Sequence, residues 1–200
     1  MYRLYYAPRT RSLRIRWLLE ELGLPYELER VEFRPQPEVF SQSTPLGKFP
    51  VLEDGDVVIG ESGAIVEYLL ERSGDTRLAP PLGSPLRGPF LQWLHFSEAT
   101  AFAPLGVMIW HGLYRQDADK IPLAIDAARE RAHAALAVVE RQLAGGSHLL
   151  GDDFSAADIM LGFTLAAAQM LGLLDGRYPR ITAYLGRLME RPAFQRAAAD

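Results

Sequence analysis

The sequence of 200 residues contains no cysteine. This absence excludes disulfide bonds, thiolate metal ligands and every mechanism with a cysteine nucleophile, so any thiol chemistry must come from a bound ligand. Basic charge is also not in excess, because 21 Lys and Arg stand against 25 Asp and Glu, giving a net charge of −4. Binding of nucleic acid through bulk electrostatic attraction is therefore not expected.

Long apolar runs are missing as well. The first five residues are not the apolar stretch of a signal peptide, and the most apolar segment, 161–174, is interrupted by Thr164 and Gln169 and is too short to span a bilayer. We therefore expect no membrane association and a cytoplasmic location. The four histidines form no ligand pair and no Gly-rich phosphate loop occurs, so neither a metal site nor a nucleotide site is predicted.

Prolines and glycines are concentrated in one segment. Residues 78–89 read LAPPLGSPLRGP, a composition that cannot continue a helix or a central strand and is typical of an exposed connector. We place a linker at 78–88, between a first domain of residues 1–77 and a second domain of residues 89–200.

The two predicted domains differ in their periodicity. Short elements of alternating type precede the linker: strands at Tyr2–Tyr6 and 26–31, helices at Ser12–Leu22 and Ser62–Ser73, a helical turn at 36–42, and a hairpin around Asp54 and Gly55. After the linker every strong pattern is helical, over 86–115, 119–144, 155–173 and 180–190. Ala103, Pro104 and Gly106 are expected to interrupt the first of these stretches, and Pro192 is expected to act as a stop.

This order of elements, βαβ-ββα followed by helices, resembles the glutathione transferase family. The resemblance covers essentially the whole chain and rests on YYAPRTRSLRIRWLLEELGLPYEL, PLGKFPVLEDGDVVIGESGAIVEYL, GDDFSAADIML and YPRITAYLGRLMERPAF. It implies an α+β thioredoxin-like N-terminal domain with a mixed sheet, followed by an all-α helical bundle domain. It also implies glutathione as the co-substrate, without a metal.

The resemblance implies a glutathione site in the first domain. Pro50 stands where thioredoxin-like domains carry a cis proline, which leaves the backbone of Phe49 facing a bound cysteinyl residue. Ser62 opens a helix whose N-terminus suits a carboxylate, and Glu61 suits an ammonium, so the pair matches the γ-glutamyl end of glutathione. Lys48 is expected at the glycyl carboxylate. Judged from the residues alone, a plain helix-capping serine and a solvated lysine are the alternatives.

A hydroxyl group is expected to activate the glutathione thiol. Serine-type members carry the catalytic serine four residues before an arginine on the first helix; Arg14 anchors this count and puts Thr10 at that place. Ser12 is the second choice of donor, and Arg11, where cysteine-type members have their nucleophile, is expected to add electrostatic help. Simple capping of the first helix by Thr10 and Ser12 is the alternative.

One carboxylate is assigned a structural task. In GDDFSAADIML, Ser155 and Asp158 stand three residues apart, as in a capping box at the start of a helix. The motif resembles the folding box of the family, so Asp158 is not counted as catalytic.

The second substrate and the partner subunit are expected to meet the helical domain. A group of mostly aromatic and apolar residues is expected to form a wall that suits a hydrophobic electrophile: Phe102, Met108, Trp110, His111 and Tyr114. The alternative is that these residues pack in the helical core. The resemblance further implies a homodimer through helices at 64–70 and 90–98, with Glu98 reaching the partner's ligand.

The resemblance implies an enzyme that adds the glutathione thiolate to an electrophilic carbon or reduces small hydroperoxides. The alternative is a binding protein that keeps the fold without turnover. An isomerase of the maleylacetoacetate kind is disfavoured, because its Ser-Ser-Cys-Ser loop does not occur in this sequence.

Overall fold

The N-terminal unit is built on a mixed four-stranded sheet. The computed structural model describes residues 1–32, 47–115 and 121–199, and the helical turn predicted at 36–42 lies outside them. The strands are β1 (Tyr2–Tyr6), β2 (Tyr26–Arg30), β3 (Val51–Asp54) and β4 (Val57–Gly60), in the order β2-β1-β3-β4. β1 is parallel to β2 and antiparallel to β3, which is antiparallel to β4, so the predicted hairpin is confirmed.

Two helices accompany this sheet with the predicted bounds, α1 (Ser12–Leu22) and α2 (Ser62–Ser73). Ile15, Leu18 and Leu19 recur at helical spacing and are fully buried. Gly23 ends α1 in the left-handed conformation, with φ of 65°, and its N–H donates to the Leu19 carbonyl. The expected βαβ-ββα order is thereby confirmed.

The C-terminal end of the chain belongs to the N-terminal unit. One compact unit comprises Met1–Ala79 with Met189–Asp200, and the other comprises Pro80–Leu188. The domain bounds predicted from the sequence, with all of residues 89–200 in one helical domain, stay a prediction. The helix before Pro192 ends at Met189, which agrees with the predicted stop. Pro192 is also the first residue of a further helix, α8 (Pro192–Ala198), where the missing N–H of proline removes no intrahelical hydrogen bond.

Helix α8 is fastened to α1. The rings of Trp17 and Phe194 meet edge to face, with centroids 4.9 Å apart. Arg191 donates from Nε and Nη2 to the two carboxylate oxygens of Glu21, at 2.6 and 2.9 Å. A two-pronged pair of this kind is stronger and more directional than a single ion contact, so the chain end holds the back of α1.

The second unit is helical. Its α-helices are α3 (Arg87–His95), α4 (Ala103–Ile109), α5 (Pro122–Gln142), α6 (Ala156–Met170) and α7 (Pro179–Met189), and a 3₁₀ turn follows α5 at Leu143–Gly145. In the described part of the chain, no helix combines the length and the apolar character needed to cross a membrane.

The helical stretch predicted over 86–115 is divided, and the division surrounds the segment with the predicted interruption at Pro104. π-helical segments at Phe96–Phe102 and Trp110–Tyr114 lie on either side of α4. Pro104 near the start of α4 cannot donate to the carbonyl four residues earlier, so an unbroken α-helical ladder is impossible there. Wider π turns are one way in which a helix accommodates such a break.

The predicted capping box is present at the start of α6, and its carboxylate is fully buried. Asp158 accepts hydrogen bonds from the Ser155 N–H and hydroxyl at 2.8 and 2.9 Å, and from the Leu149 N–H at 3.0 Å. Tyr184 donates its hydroxyl to the same carboxylate at 2.6 Å. Burial, then the charge and hydrogen bond of Asp158, raise the pKa of Tyr184 well above its ordinary value, so its hydroxyl remains a donor.

We predict that Asp158→Asn lowers the free energy of unfolding by about 3 kcal/mol. The asparagine amide presents an N–H donor to the Ser155, Leu149 and Tyr184 groups, which themselves donate hydrogen bonds and need an acceptor. Asp153→Asn, at an exposed position in the same loop, is the matched control and should change it by less than about 0.5 kcal/mol. Urea unfolding measures both. A loss below about 1 kcal/mol in Asp158→Asn would contradict a structural role for this carboxylate.

Candidate functional site

The register of the sheet brings three chain segments to one edge. Tyr5 near the end of β1 pairs with Val51 at the start of β3, and Val51 pairs with Gly60 at the end of β4. The loop after β1, the segment before β3 and the start of α2 therefore leave the sheet side by side. A small cleft forms between them, lined by Arg11, Lys48, Phe49, Pro50, Glu61 and Ser62.

The segment before β3 has the backbone geometry expected from the sequence. The peptide bond between Phe49 and Pro50 is cis, as predicted. The Phe49 side chain is buried in a cluster with Ala7 and Val51, which anchors this segment to β1 and β3. Lys48 is exposed next to it.

Glu61 adopts an unusual backbone conformation. Its φ of 64° and ψ of 118° lie in a region that non-glycine residues rarely occupy. The carbonyl of Glu61 accepts the Ile65 N–H at 3.0 Å, which starts α2, and its side chain is exposed at the cleft. Backbone strain of this kind costs about 1 to 3 kcal/mol and concentrates at functional sites. Nothing in the sequence pattern indicated it.

Ser62 is connected to α1 through a buried arginine. Ser62 is 3% exposed and Arg14 is fully buried. Arg14 Nη1 donates to Ser62 Oγ at 3.3 Å. In the sequence, Arg14 served only to locate Thr10, and its contact with Ser62 was not predicted. The available signal was a charged residue next to Ile15 on the buried face of α1.

The loop between β1 and α1 contains a compact hydroxyl pair. Thr10 Oγ1 lies 2.7 Å from Ser12 Oγ, and both hydroxyls reach the Ala7 carbonyl, at 2.8 and 3.2 Å respectively. The Ala7 N–H donates to Ser12 Oγ at 3.3 Å. Ser12 is fully buried, whereas Thr10 is half-buried, and neither is among the residues that line the cleft. Only Thr10 keeps access to solvent.

The Tyr5 hydroxyl is engaged within the sheet. Its hydroxyl donates to Glu53 Oε1 at 2.7 Å across the sheet. This hydrogen bond, with partial burial and the Glu53 charge, raises the pKa of Tyr5. A tyrosine engaged in this way is a sheet residue.

Two family models cover most of the chain. Residues 1–71 match the Glutathione S-transferase, N-terminal domain, and residues 122–187 match the Glutathione S-transferase, C-terminal domain. The chain belongs to the glutathione S-transferase family. The predicted resemblance and the fold class are thus confirmed.

Similar proteins of this family come from fungi and bacteria. The chain is 34% identical over 196 residues to the glutathione S-transferase-like protein OpS6 of Beauveria bassiana, covering 91% of this chain and 87% of that protein. A glutathione transferase structure from Methylococcus capsulatus has a TM-score of 0.87 at 32% identity, covering 99% and 97% of the two chains. A sphingomonad glutathione S-transferase complexed with glutathione has a TM-score of 0.82 at 30% identity, covering 98% and 96%.

The residues predicted to contact a second substrate lie in and around α4. Trp110 is 54% exposed, and His111 and Tyr114 of the same π-helical segment are half-buried. Phe102 stacks on Phe163, with centroids 5.9 Å apart. Met108 is 5% exposed and packs inside the helical unit, which agrees with the alternative interpretation of a core residue.

Oligomerisation stays a prediction. Glu98 is half-buried in the π-helical segment before α4, and its contact with a partner's ligand is an expectation from the sequence.

Within residues 1–32, 47–115 and 121–199, no group of three or more His, Asp or Glu side chains is arranged to hold a metal ion.

The strain at Glu61 leads to a stability prediction. The free energy of unfolding of Glu61→Gly should be about 1 kcal/mol higher than that of Glu61→Ala, because glycine adopts this φ without steric cost. Ala64→Gly, at an exposed position of the same helix, is the control and should instead lower the free energy of unfolding by about 1 kcal/mol. Denaturant titration of the three variants tests this. Equal stability of Glu61→Gly and Glu61→Ala would show that the backbone there is unstrained.

Proposed function

We propose that the cleft binds glutathione and that the chain transfers its thiolate to hydrophobic electrophiles or reduces small hydroperoxides. The observation that carries this proposal is that six residues, chosen from the sequence for glutathione binding, line one cleft. The sphingomonad relative, whose structure is a complex with glutathione, supports it through its similar fold and 30% identity.

The charges around the cleft match those of glutathione. The ligand offers a carboxylate and an ammonium on its γ-glutamyl end and a second carboxylate on its glycine. Glu61 is the acidic residue for the ammonium, and Ser62 with the first amides of α2 is the donor set for the neighbouring carboxylate. Lys48 then meets the glycyl carboxylate. The Phe49 backbone takes the cysteinyl residue by strand-like pairing.

Calorimetric titration with glutathione tests this assignment. Glu61→Gln should raise the dissociation constant about tenfold, because the ligand ammonium loses its charged partner. The control Glu71→Gln, on the exposed face of the same helix, should leave the dissociation constant within about twofold of the parent. Cysteinylglycine, which lacks the γ-glutamyl end, should bind all three proteins alike.

Two outcomes would count against the proposal. A parent protein that fails to bind glutathione contradicts the site itself. Binding of glutathione without turnover of either a chlorodinitrobenzene or an organic hydroperoxide favours the alternative, a binding protein on the same fold.

Thiol activation is assigned to Thr10 with support from Ser12. A free thiol with a pKa of about 8.5 is only a few per cent thiolate at neutral pH. The Ala7 carbonyl is the shared acceptor of both hydroxyls, and Ser12 lies within hydrogen-bonding distance of Thr10. When Thr10 turns its proton to the sulfur, Ser12 can donate to Thr10 Oγ1 or to Ala7. A hydrogen bond to a charged acceptor contributes about 1.5 to 3 kcal/mol, which lowers the thiol pKa by roughly one to two units.

Steady-state kinetics across pH tests the hydroxyl mechanism. Thr10→Ala should lower kcat and leave glutathione affinity within about twofold. The rise of activity with pH, which follows deprotonation of the thiol, should move to higher pH by about one to two units. Thr10→Ser, which keeps the hydroxyl, is the matched control and should retain the parental profile. An unchanged profile and kcat in Thr10→Ala would rule out Thr10 as the donor.

A further inference from the structure

The buried Arg14 fixes the direction in which Ser62 donates its proton. A guanidinium group carries donors and no acceptor, so Ser62 Oγ must be the acceptor in the 3.3 Å contact with Arg14 Nη1. The hydroxyl hydrogen of Ser62 is not used in that bond. Among the described residues it meets no other acceptor.

The surroundings of Ser62 direct its hydroxyl hydrogen toward the cleft. Ser62 is 3% exposed, and it is also one of the residues that line the cleft. The Ser62 hydroxyl oxygen accepts a hydrogen bond from the protein, and the hydroxyl faces the cleft. Since buried polar groups are normally hydrogen-bonded, its hydrogen is expected to be donated to a ligand in the cleft. The neighbouring cation also polarises the hydroxyl, which strengthens its donation to an anion.

Arg14 itself cannot easily shift. It is fully buried on α1, and its N–H donates to the Arg11 carbonyl at 3.1 Å in the first turn. The same turn carries the Leu13 N–H, which donates to the Thr10 carbonyl at 3.1 Å. Arg14 therefore couples the start of α2 to the helix that begins at the hydroxyl loop.

We propose that Arg14 is a positioning residue that orients and polarises the Ser62 hydroxyl toward the γ-glutamyl carboxylate of glutathione. This inference rests on the proposed function, because it concerns one contact of the same ligand. Arg14 acts through Ser62 and does not touch the ligand, so its removal affects the recognition of one carboxylate and not the whole site.

The test compares two ligands, glutathione and glutathione in which the γ-glutamyl carboxylate is amidated. Arg14→Lys and Arg14→Gln should each weaken glutathione binding about tenfold and change binding of the amidated ligand by less than about twofold. Arg16→Gln removes another arginine of α1, one that donates to the hydroxyl of Tyr26 in β2. This variant is the control and should change binding of neither ligand.

A double-mutant cycle identifies the route of the effect. In a Ser62→Ala background, Arg14→Gln should cause no further loss of glutathione affinity, because the two residues act as one unit. Losses that multiply would contradict the proposal, and so would equal weakening of both ligands. Failure of both Arg14 variants to fold, judged by thermal unfolding, would also overturn it and assign Arg14 to the core.

The outcomes separate this inference from the proposed function. If the parent binds neither ligand, the glutathione assignment itself fails. If the parent prefers glutathione to the amidated ligand while Arg14→Lys and Arg14→Gln retain that preference, only the role of Arg14 is refuted.

Discussion

The antiparallel pairing of β1 with β3 is the constraint on which the site depends. The register that sets Tyr5 opposite Val51, and Val51 opposite Gly60, brings three loops to the same edge of the sheet. A shift by one residue would turn Leu4 and Leu52 away from the interior, where both are fully buried. Burial of these side chains therefore fixes the loops that line the cleft.

Helix α1 connects the sheet edge to the loop with the Thr10 hydroxyl and to Ser62. The loop before α1 holds the Thr10 hydroxyl, the first turn of α1 contacts Ser62 through Arg14, and the end of α1 is held by Arg191 near the chain terminus. Each of these contacts is a directional hydrogen bond. A site that bound a small flexible peptide would benefit from such support, because misplacement of reacting groups by about 1 Å already lowers the rate.

Much of the fold could be predicted because local patterns and tertiary packing agree. The bounds of α1 and α2 follow from apolar spacing and from Gly23 and Gly74 in left-handed conformations at their ends. The lining of the cleft was predictable through the family resemblance, since Pro50 and Ser62 are individually ambiguous.

The parts that escaped prediction depend on contacts distant in sequence. Pro192 opens a helix because Trp17 offers Phe194 a packing partner far away in the chain, which no local pattern reveals. At 86–115 the sequence indicates an interruption at Pro104, but the π-helical segments on either side of α4 are not visible in the local pattern. The strain at Glu61 and the buried contact of Arg14 are likewise properties of three-dimensional packing.

The most direct test of the account is a crystal structure of the protein with glutathione bound. We predict that the γ-glutamyl carboxylate lies about 3 Å from Ser62 Oγ, with the ligand ammonium at Glu61 and the sulfur nearest Thr10. A ligand bound in the reverse direction, or outside the cleft lined by Lys48 and Glu61, would contradict it.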